Sequence, residues 1–379
     1  MAIRRRAARP GAAGHPSQST LTIDLGAVAA NYRTLRRQLR HPTTCAAVVK
    51  ADAYGLGAGR VVPALAAAGC REFFVAQLDE AEAIRRVVPA AGAICVLNGL
   101  LPGEEAAFRR RGFIPVLNDL TQVQSWQRAA RSSPRPLPAI LHVDTGMSRL
   151  GLAPETAIAL GAPGRLTGLA LHAVISHLAC SEEPDQPLNA QQLATFQSVR
   201  AAFPRVRASL ANSSGIFLEP AYHFDFVRPG AALFGVNPLP GRPNPMRPVV
   251  TLRGKVLQIR DVDPPRSVGY GATHRITGRT RIATVAAGYA DGWPRSLSNR
   301  GSAYIGDLRV PVIGRVSMDL MTLDITAAPN VAPGDTVELL GDHLPVDDVA
   351  TAAGTIGYEI LTRLGRRYHR IYKGGPASR

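Results

Sequence analysis

Between residues 45 and 228, short apolar runs alternate with longer segments of helical periodicity. The runs are Cys45–Lys50, Glu72–Ala76, Ala93–Asn98, Phe113–Leu117, Ala139–Asp144, Gly168–Ile175, Arg207–Ala211 and Phe224–Arg228. Near-continuous apolar runs of this length suit strands buried on both faces. Between them, Gly59–Ala68, Leu78–Val87, Pro102–Arg110, Thr121–Arg131 and Ala190–Phe203 read as helices. Eight strand–helix periods over roughly 200 residues predict a parallel (β/α)8 barrel. A doubly wound sheet is the alternative, but its glycine fingerprint is missing. Gly55, Gly57 and Gly59 come near it, then Arg60 breaks the pattern, and there is no lysine-bearing phosphate loop.

The pattern changes on either side of this region. Thr20–Asp24 alternates like a short strand, and Leu25, Val28, Tyr32, Leu35 and Leu39 then recur at helical spacing. Residues 1–19 show neither period and read as a disordered basic tail. From residue 238, five prolines (Pro238, Pro240, Pro243, Pro245 and Pro248) mark a stiff linker. Beyond it the period shortens to two over Val249–Arg260, Arg281–Ala286, Ser302–Ile305, Val310–Val316, Leu320–Ile325 and Val337–Leu340. A short helix from about Val346 and a final basic strand follow. The expected organisation is a tail at 1–19, a barrel at 20–240 and a mainly-β domain at 249–379.

Composition narrows the function. The hydrophobic content of 46% can fill two cores, and no apolar run reaches the ~18 residues of a membrane helix. The basic start lacks the apolar stretch of a secretory signal. Cys45, Cys70, Cys95 and Cys180 show no paired spacing, which favours free thiols and a cytoplasmic location. Net charge is +16, but four arginines in the first 20 residues and six basic residues in 363–379 carry most of it. No basic stripe interleaved with aromatics appears, so neither a nucleic-acid nor a membrane partner is expected.

Lysine usage is more telling. Three lysines, Lys50, Lys255 and Lys373, stand against 41 arginines. A lysine kept where this chain otherwise uses arginine points to chemistry that a guanidinium cannot do, such as imine formation with an aldehyde. A strand-end lysine reaching to water is the competing reading of Lys50. Active sites of barrels lie at the C-terminal strand ends. Those ends supply Lys50, Asp144 with Gly146-Met147-Ser148-Arg149, His177, Asn212-Ser213 and Arg228-Pro229-Gly230. An amine for the aldehyde, turns that offer N–H groups to a phosphate and a partner for a ring nitrogen suit a phosphorylated aldehyde cofactor.

Seven blocks extend this set over nearly the whole chain. They are Ala47-Val-Val-Lys-Ala-Asp-Ala-Tyr-Gly-Leu-Gly57, His142-Val-Asp-Thr-Gly-Met-Ser-Arg-Leu-Gly151, Asn212-Ser-Ser-Gly215, Arg228-Pro-Gly-Ala-Ala-Leu-Phe-Gly235, Val268-Gly-Tyr-Gly271, Gly288-Tyr-Ala-Asp-Gly-Trp-Pro294 and Gly314-Arg-Val-Ser-Met-Asp319. In order and content they resemble the alanine racemases, pyridoxal-phosphate enzymes with a barrel followed by a β-domain.

The resemblance implies roles for named residues. Lys50 would bind pyridoxal 5'-phosphate covalently and act as one catalytic base. Tyr270 would be the other, working from the partner subunit of a homodimer on the opposite face of alanine, because racemisation needs an acid/base on each face. A His–Arg pair, His177 and Arg228, would tune that tyrosine. Arg228 would also face the pyridine nitrogen and leave the ring unprotonated. Tyr54, Ser213, Gly230, Ala231 and Tyr358 would contact the phosphate, and Arg149 with the backbone of Met318 would hold the substrate carboxylate. No metal is implied. The product, D-alanine, would supply peptidoglycan.

One position departs from the family. Its carbamylated lysine, seven residues before the substrate arginine, is His142 here, and a neutral imidazole cannot supply that negative charge. Other readings compete. His142, His172, His177 and Asp225 would suit a metal-dependent barrel hydrolase, but the first strand has no His-x-His pair. A non-catalytic pyridoxal-phosphate-binding barrel would lack the β-domain. A decarboxylase of the same barrel family and a racemase of broader range are the further alternatives, since the sequence does not fix the pocket's size.

Overall fold

All eight apolar runs form strands in the computed structural model, which describes residues 17–375. After β1 (Ser19–Asp24) they are β2 (Thr44–Cys45), β3 (Ala47–Val48), β4 (Glu72–Val75), β5 (Ala93–Val96), β6 (Ile114–Leu117), β7 (Leu137–His142), β8 (Leu169–Ile175), β9 (Ala208–Ser209) and β10 (Phe226–Val227). β2 and β3 divide the first run between them. β3 to β9 lie side by side in chain order, all parallel. β10 pairs in parallel with β2, Asp225 N–H donates to Ala208 O at 3.0 Å, and Arg228 N–H donates to Ala211 O at 3.0 Å. These bonds close the ring and remove the edges that an open sheet would expose.

The barrel interior is a packed layer of Val48, Phe74, Cys95, Ile140, Ile175 and Phe226 among others. Outside run the helices α1 (Leu25–Arg37), α2 (Lys50–Tyr54, a single turn), α3 (Ala58–Ala67), α4 (Leu78–Ile84), α5 (Glu105–Arg111), α6 (Leu120–Ala130), α7 (Pro154–Leu160) and α8 (Pro187–Ala201). Their starts follow local chemistry. Asp24 Oδ1 accepts from Ala27 N–H at 2.9 Å to cap α1, and Asp119 Oδ1 accepts from Gln122 N–H at 2.8 Å to cap α6.

The second unit comprises β11 (Val250–Val262), β12 (Ser267–Val268), β13 (His274–Arg275), β14 (Thr280–Val285), β15 (Ser302–Ile305), β16 (Leu308–Pro311), β17 (Met321–Asp324), β18 (Thr336–Leu340), α9 (Val346–Ala353), α10 (Gly357–Arg363) and β19 (His369–Lys373). β11 is its spine, pairing β1 and β18 along its first half and β14 along its second, with a register shift at Val256/Gln258.

One boundary moves. The strand expected to open the barrel domain, β1, instead lies between β11 and β19 of the second sheet, antiparallel to the former and parallel to the latter. Its alternation, with Leu21 and Ile23 wholly buried, makes it a half-buried strand. Alternation does not name the sheet that buries it. The proline-rich connection is pinned at both ends. Asn31 brackets Arg247 through its O and N–H, and Asn237 N–H donates to Asp347 Oδ2 at 2.9 Å. The expected tail lies outside the described residues except for 17–19, where Ser19 already begins β1.

Candidate active site

A cavity of about 480 Å3 opens at the C-terminal ends of the barrel strands, within the roughly 300–1,000 Å3 of small-molecule sites. Lys50 and Tyr54 enter it after β3, Arg149 after β7, His177 after β8, Ser213 after β9, and Arg228, Gly230 and Ala231 after β10. Tyr358 reaches in from α10 of the second unit. His142 lines the same wall.

Lys50 opens a turn of the wrong hand. Ala51, Asp52, Ala53 and Tyr54 all have φ between 52° and 55°, where an L-residue loses roughly 1–2 kcal/mol relative to the right-handed form. The turn is tied down on all sides. Ala51 N–H donates to Glu80 Oε1 at 2.7 Å, Ala58 N–H to Asp52 Oδ1 at 2.7 Å, and Gly55 N–H to Ala51 O at 2.7 Å. Strain held by surrounding bonds is characteristic of functional sites. Burial, and then Arg149, push the Lys50 ammonium below its usual value, while Glu80 opposes them. The amine is thereby drawn toward the neutral form that attacks a carbonyl.

Arg228 is 3% exposed and, among the described residues, has no carboxylate partner. Its guanidinium donates to Ser209 O at 2.9 Å, to Ser209 Oγ and to Ser176 O. Burial lowers its pKa to about 9, so it remains cationic at neutral pH. Burial, Arg228 and Arg149 together hold His177 well below its ordinary value, as a neutral ring. Gln192, wholly buried on α8, ties the surrounding loops together by donating to His177 O and Thr145 Oγ1.

The lining contains Lys50, Arg149 and Arg228 but no Asp or Glu. Such a cavity suits an anion. Gly230 N–H (3.0 Å) and Ala232 N–H (3.3 Å) both donate to Ser213 Oγ, which leaves the hydroxyl proton free to donate elsewhere. A Cβ on Gly230 would fall on the Tyr54 hydroxyl, so only glycine fits against this wall. An amine for an aldehyde, a hydroxyl and small-residue backbone for a phosphate, and a buried cation for a ring fit pyridoxal phosphate.

Tyr270 and Met318 are not brought to this cavity. Tyr270 sits in the β12–β13 turn with its side chain 71% exposed, and Met318, 53% exposed, lies in another loop of the second unit. Gly269 and Gly271 have positive φ and let the backbone pass close to Arg315. Sequence reasoning missed Asn98, which lines the cavity, and Asn118, which bonds His142. Both are polar residues just past barrel strands, so the strand-end rule could have found them. Cys45 and Cys95 are buried as expected of apolar thiols.

Comparisons with known proteins agree in kind. Residues 23–238 match the family model for the alanine racemase N-terminal domain, and residues 249–372 match that for the C-terminal domain. The chain is 53% identical over 366 residues to an alanine racemase of Rhodospirillum rubrum, covering 95% of this chain and 98% of that one. A catabolic alanine racemase of Mesorhizobium japonicum is 50% identical over 358 residues, covering 94% and 93%. Among solved structures, the alanine racemase of Bartonella henselae with covalently bound pyridoxal phosphate superposes with a TM-score of 0.90 at 43% identity. That match covers 94% of this chain and all of the other.

Proposed function

The chain belongs to the alanine racemase family, and from that premise we propose that it interconverts L- and D-alanine with pyridoxal phosphate held at Lys50. The observation that carries the assignment of residues is the cavity itself, which gathers one lysine, two arginines and the Ser213 cradle without a carboxylate. When bound, the cofactor supplies an electron sink that makes the alanine Cα proton acidic.

The remaining work falls to the chain. Lys50, its pKa lowered by burial and Arg149, holds the cofactor and moves the Cα proton on one face. Tyr270 of a second subunit serves the other face, and its 71% exposure in one chain leaves it available to a neighbour. His177 and Arg228 tune that phenol, and Arg228 presents a fixed positive charge to the cofactor ring. Tyr54, Ser213, Gly230, Ala231 and Tyr358 hold the phosphate. Arg149 and the Met318 backbone hold the substrate carboxylate, fixing which hydrogen faces which base.

The working unit is therefore a homodimer with shared sites. Among the described residues no helix is long and apolar enough to cross a membrane, and with its free thiols this supports a cytoplasmic enzyme that makes D-alanine for peptidoglycan. No nucleic-acid partner is assigned. Reduction of the purified yellow holoenzyme with borohydride tests the central residue. The cofactor should be fixed to the peptide containing Lys50; labelling at Lys255 or Lys373 would overturn the assignment.

A further inference from the structure

Four consecutive left-handed residues follow Lys50, and none of them is glycine. Each sets its Cβ against the following carbonyl. The bonds inside the turn do not explain its hand. Ala53 N–H donates to Val49 O at 2.9 Å and Gly55 N–H to Ala51 O at 2.7 Å, a spacing of four that a right-handed turn satisfies equally well. The hand is therefore set from outside. Asp52 Oδ1 accepts from Ala58 N–H at 2.7 Å and Arg370 donates to Gly55 O at 2.6 Å, which holds the far end.

The near end, beside Lys50, is held by Glu80, 29 residues on from Ala51 and in the first turn of α4. Its Oε1 accepts from Ala51 N–H and its Oε2 from Ala76 N–H, both at 2.7 Å. Those residues lie just past β3 and β4, which pair in parallel with Val48 opposite Phe74. One carboxylate thus ties two adjacent strand ends at the cavity mouth, where Lys50 and Ala76 both line the wall. The residue type matters. An ionised carboxylate only accepts, so it serves two N–H groups at once; an amide of equal length would turn its own donor toward one of them. Bonds from N–H to an ionised acceptor are also stronger than neutral ones. Glu80 stays outside the lining, yet near enough for its charge to oppose burial and Arg149 at the Lys50 amine.

We infer that Glu80 is the positioning residue for Lys50: by bridging the Ala51 and Ala76 N–H groups it locks the left-handed turn and fixes the strand end from which the amine reaches the cofactor. This inference rests on the reading of Lys50 as the cofactor lysine. Without the bridge, the turn relieves its steric contacts by moving toward the right-handed form, which redirects the chain immediately after Lys50. Both carboxylate oxygens are engaged by backbone, so Glu80 steadies the lysine through the chain and leaves the amine free to attack a carbonyl.

The test compares the holoenzyme with its Glu80→Ala, Glu80→Gln and Ala51→Gly variants and with the Glu80→Ala, Ala51→Gly double variant. Two quantities are read: the rate at which hydroxylamine strips the cofactor, followed by loss of visible absorbance, and kcat for alanine. Glu80→Ala should be stripped about tenfold faster and lose a similar factor in kcat. Ala51→Gly alone should change little. In the double variant it should win back about threefold, because glycine keeps the left-handed turn without the bridge. A residue that merely supports the fold at large would gain nothing from a glycine at position 51. Glu80→Gln should fall between wild type and Glu80→Ala. A folded Glu80→Ala with wild-type stripping rate and kcat overturns the inference, and so does a folded double variant no better than Glu80→Ala. If Glu80→Ala fails to fold, Glu80→Gln with and without Ala51→Gly decides in the same way. Borohydride labelling of the wild type separates the underlying reading. A label away from Lys50 fails that reading and the inference with it, whereas a label at Lys50 beside unaltered variants fails the inference alone.

Discussion

Single residues in the cavity carry pH dependence whose sign follows from their surroundings. His142 binds a proton near pH 4 in the folded chain and near 6.5 when unfolded. Between those values the unfolded state holds more protons. The stability linked to the neutral ring is complete above pH 6.5 and lost as pH falls toward 4, up to about 3 kcal/mol at ~1.4 kcal/mol per pKa unit. His177 is shifted in the same direction and adds to the loss. Glu72, lowered to about 2 by bonds from His172 and Arg207 that outweigh its burial, keeps its contribution down to pH 4.5 and begins to lose it only at the acid end of this window. Urea midpoints should therefore fall steadily from pH 6.5 to 4, and more gently in His142→Gln. Equal slopes in the two proteins would mean that His142 is already charged. The buried, shifted groups were only half legible beforehand. The strand-end position marked His177, but nothing in the residues around His142 reveals that Asn118, 24 positions earlier, meets its ring.

At the scale of elements, the left-handed turn after Lys50 makes an unusual prediction. In an ordinary helix Ala→Gly costs about 1 kcal/mol because glycine gives up more freedom on folding. Ala51 has φ 52° and ψ 47°, where glycine escapes roughly 1–2 kcal/mol of steric cost. Ala51→Gly should therefore be neutral or stabilise by up to about 1 kcal/mol. Ala51→Val should destabilise. Thermal or urea unfolding of the two variants measures both signs, and a loss of about 1 kcal/mol in Ala51→Gly would show that the turn is not left-handed in solution. The barrel strands were legible because apolar runs buried on both faces leave a plain trace. The turn was not, since Ala-Asp-Ala-Tyr has no glycine to announce it. The β12–β13 hairpin carrying Tyr270 also escaped notice as an element, its strands being two residues each.

For the whole molecule, exposure of Tyr270 and Met318 outside their own chain's cavity supports a site completed by a second subunit. Family resemblance suggests that arrangement, and a mixing experiment tests it. Lys50→Ala and Tyr270→Ala homodimers should each be nearly inactive, because every site lacks one base. Unfolding and refolding an equal mixture should give about half heterodimers by random pairing. In each heterodimer one site carries both defects and the other neither, so about a quarter of wild-type activity should return. No recovery, with heterodimers verified by native mass spectrometry, would place both residues in one chain's site.

The sequence by itself determined the strand–helix period of the barrel, the change to alternating strands after the proline-rich segment, and the motif residues Lys50, Arg149, His177, Ser213, Arg228 and Gly230. These are properties of neighbours along the chain, or of strand ends that face one way once a parallel barrel forms. Tertiary structure decided what depends on residues distant in the chain. It placed β1 in the second sheet, because alternation specifies a buried face and not the partner that buries it. It brought Tyr358 from the second unit to the cavity at the barrel mouth, and it left Tyr270 outside. It also held His142 neutral, because the charge of an imidazole is set by its burial and by the arginines around it.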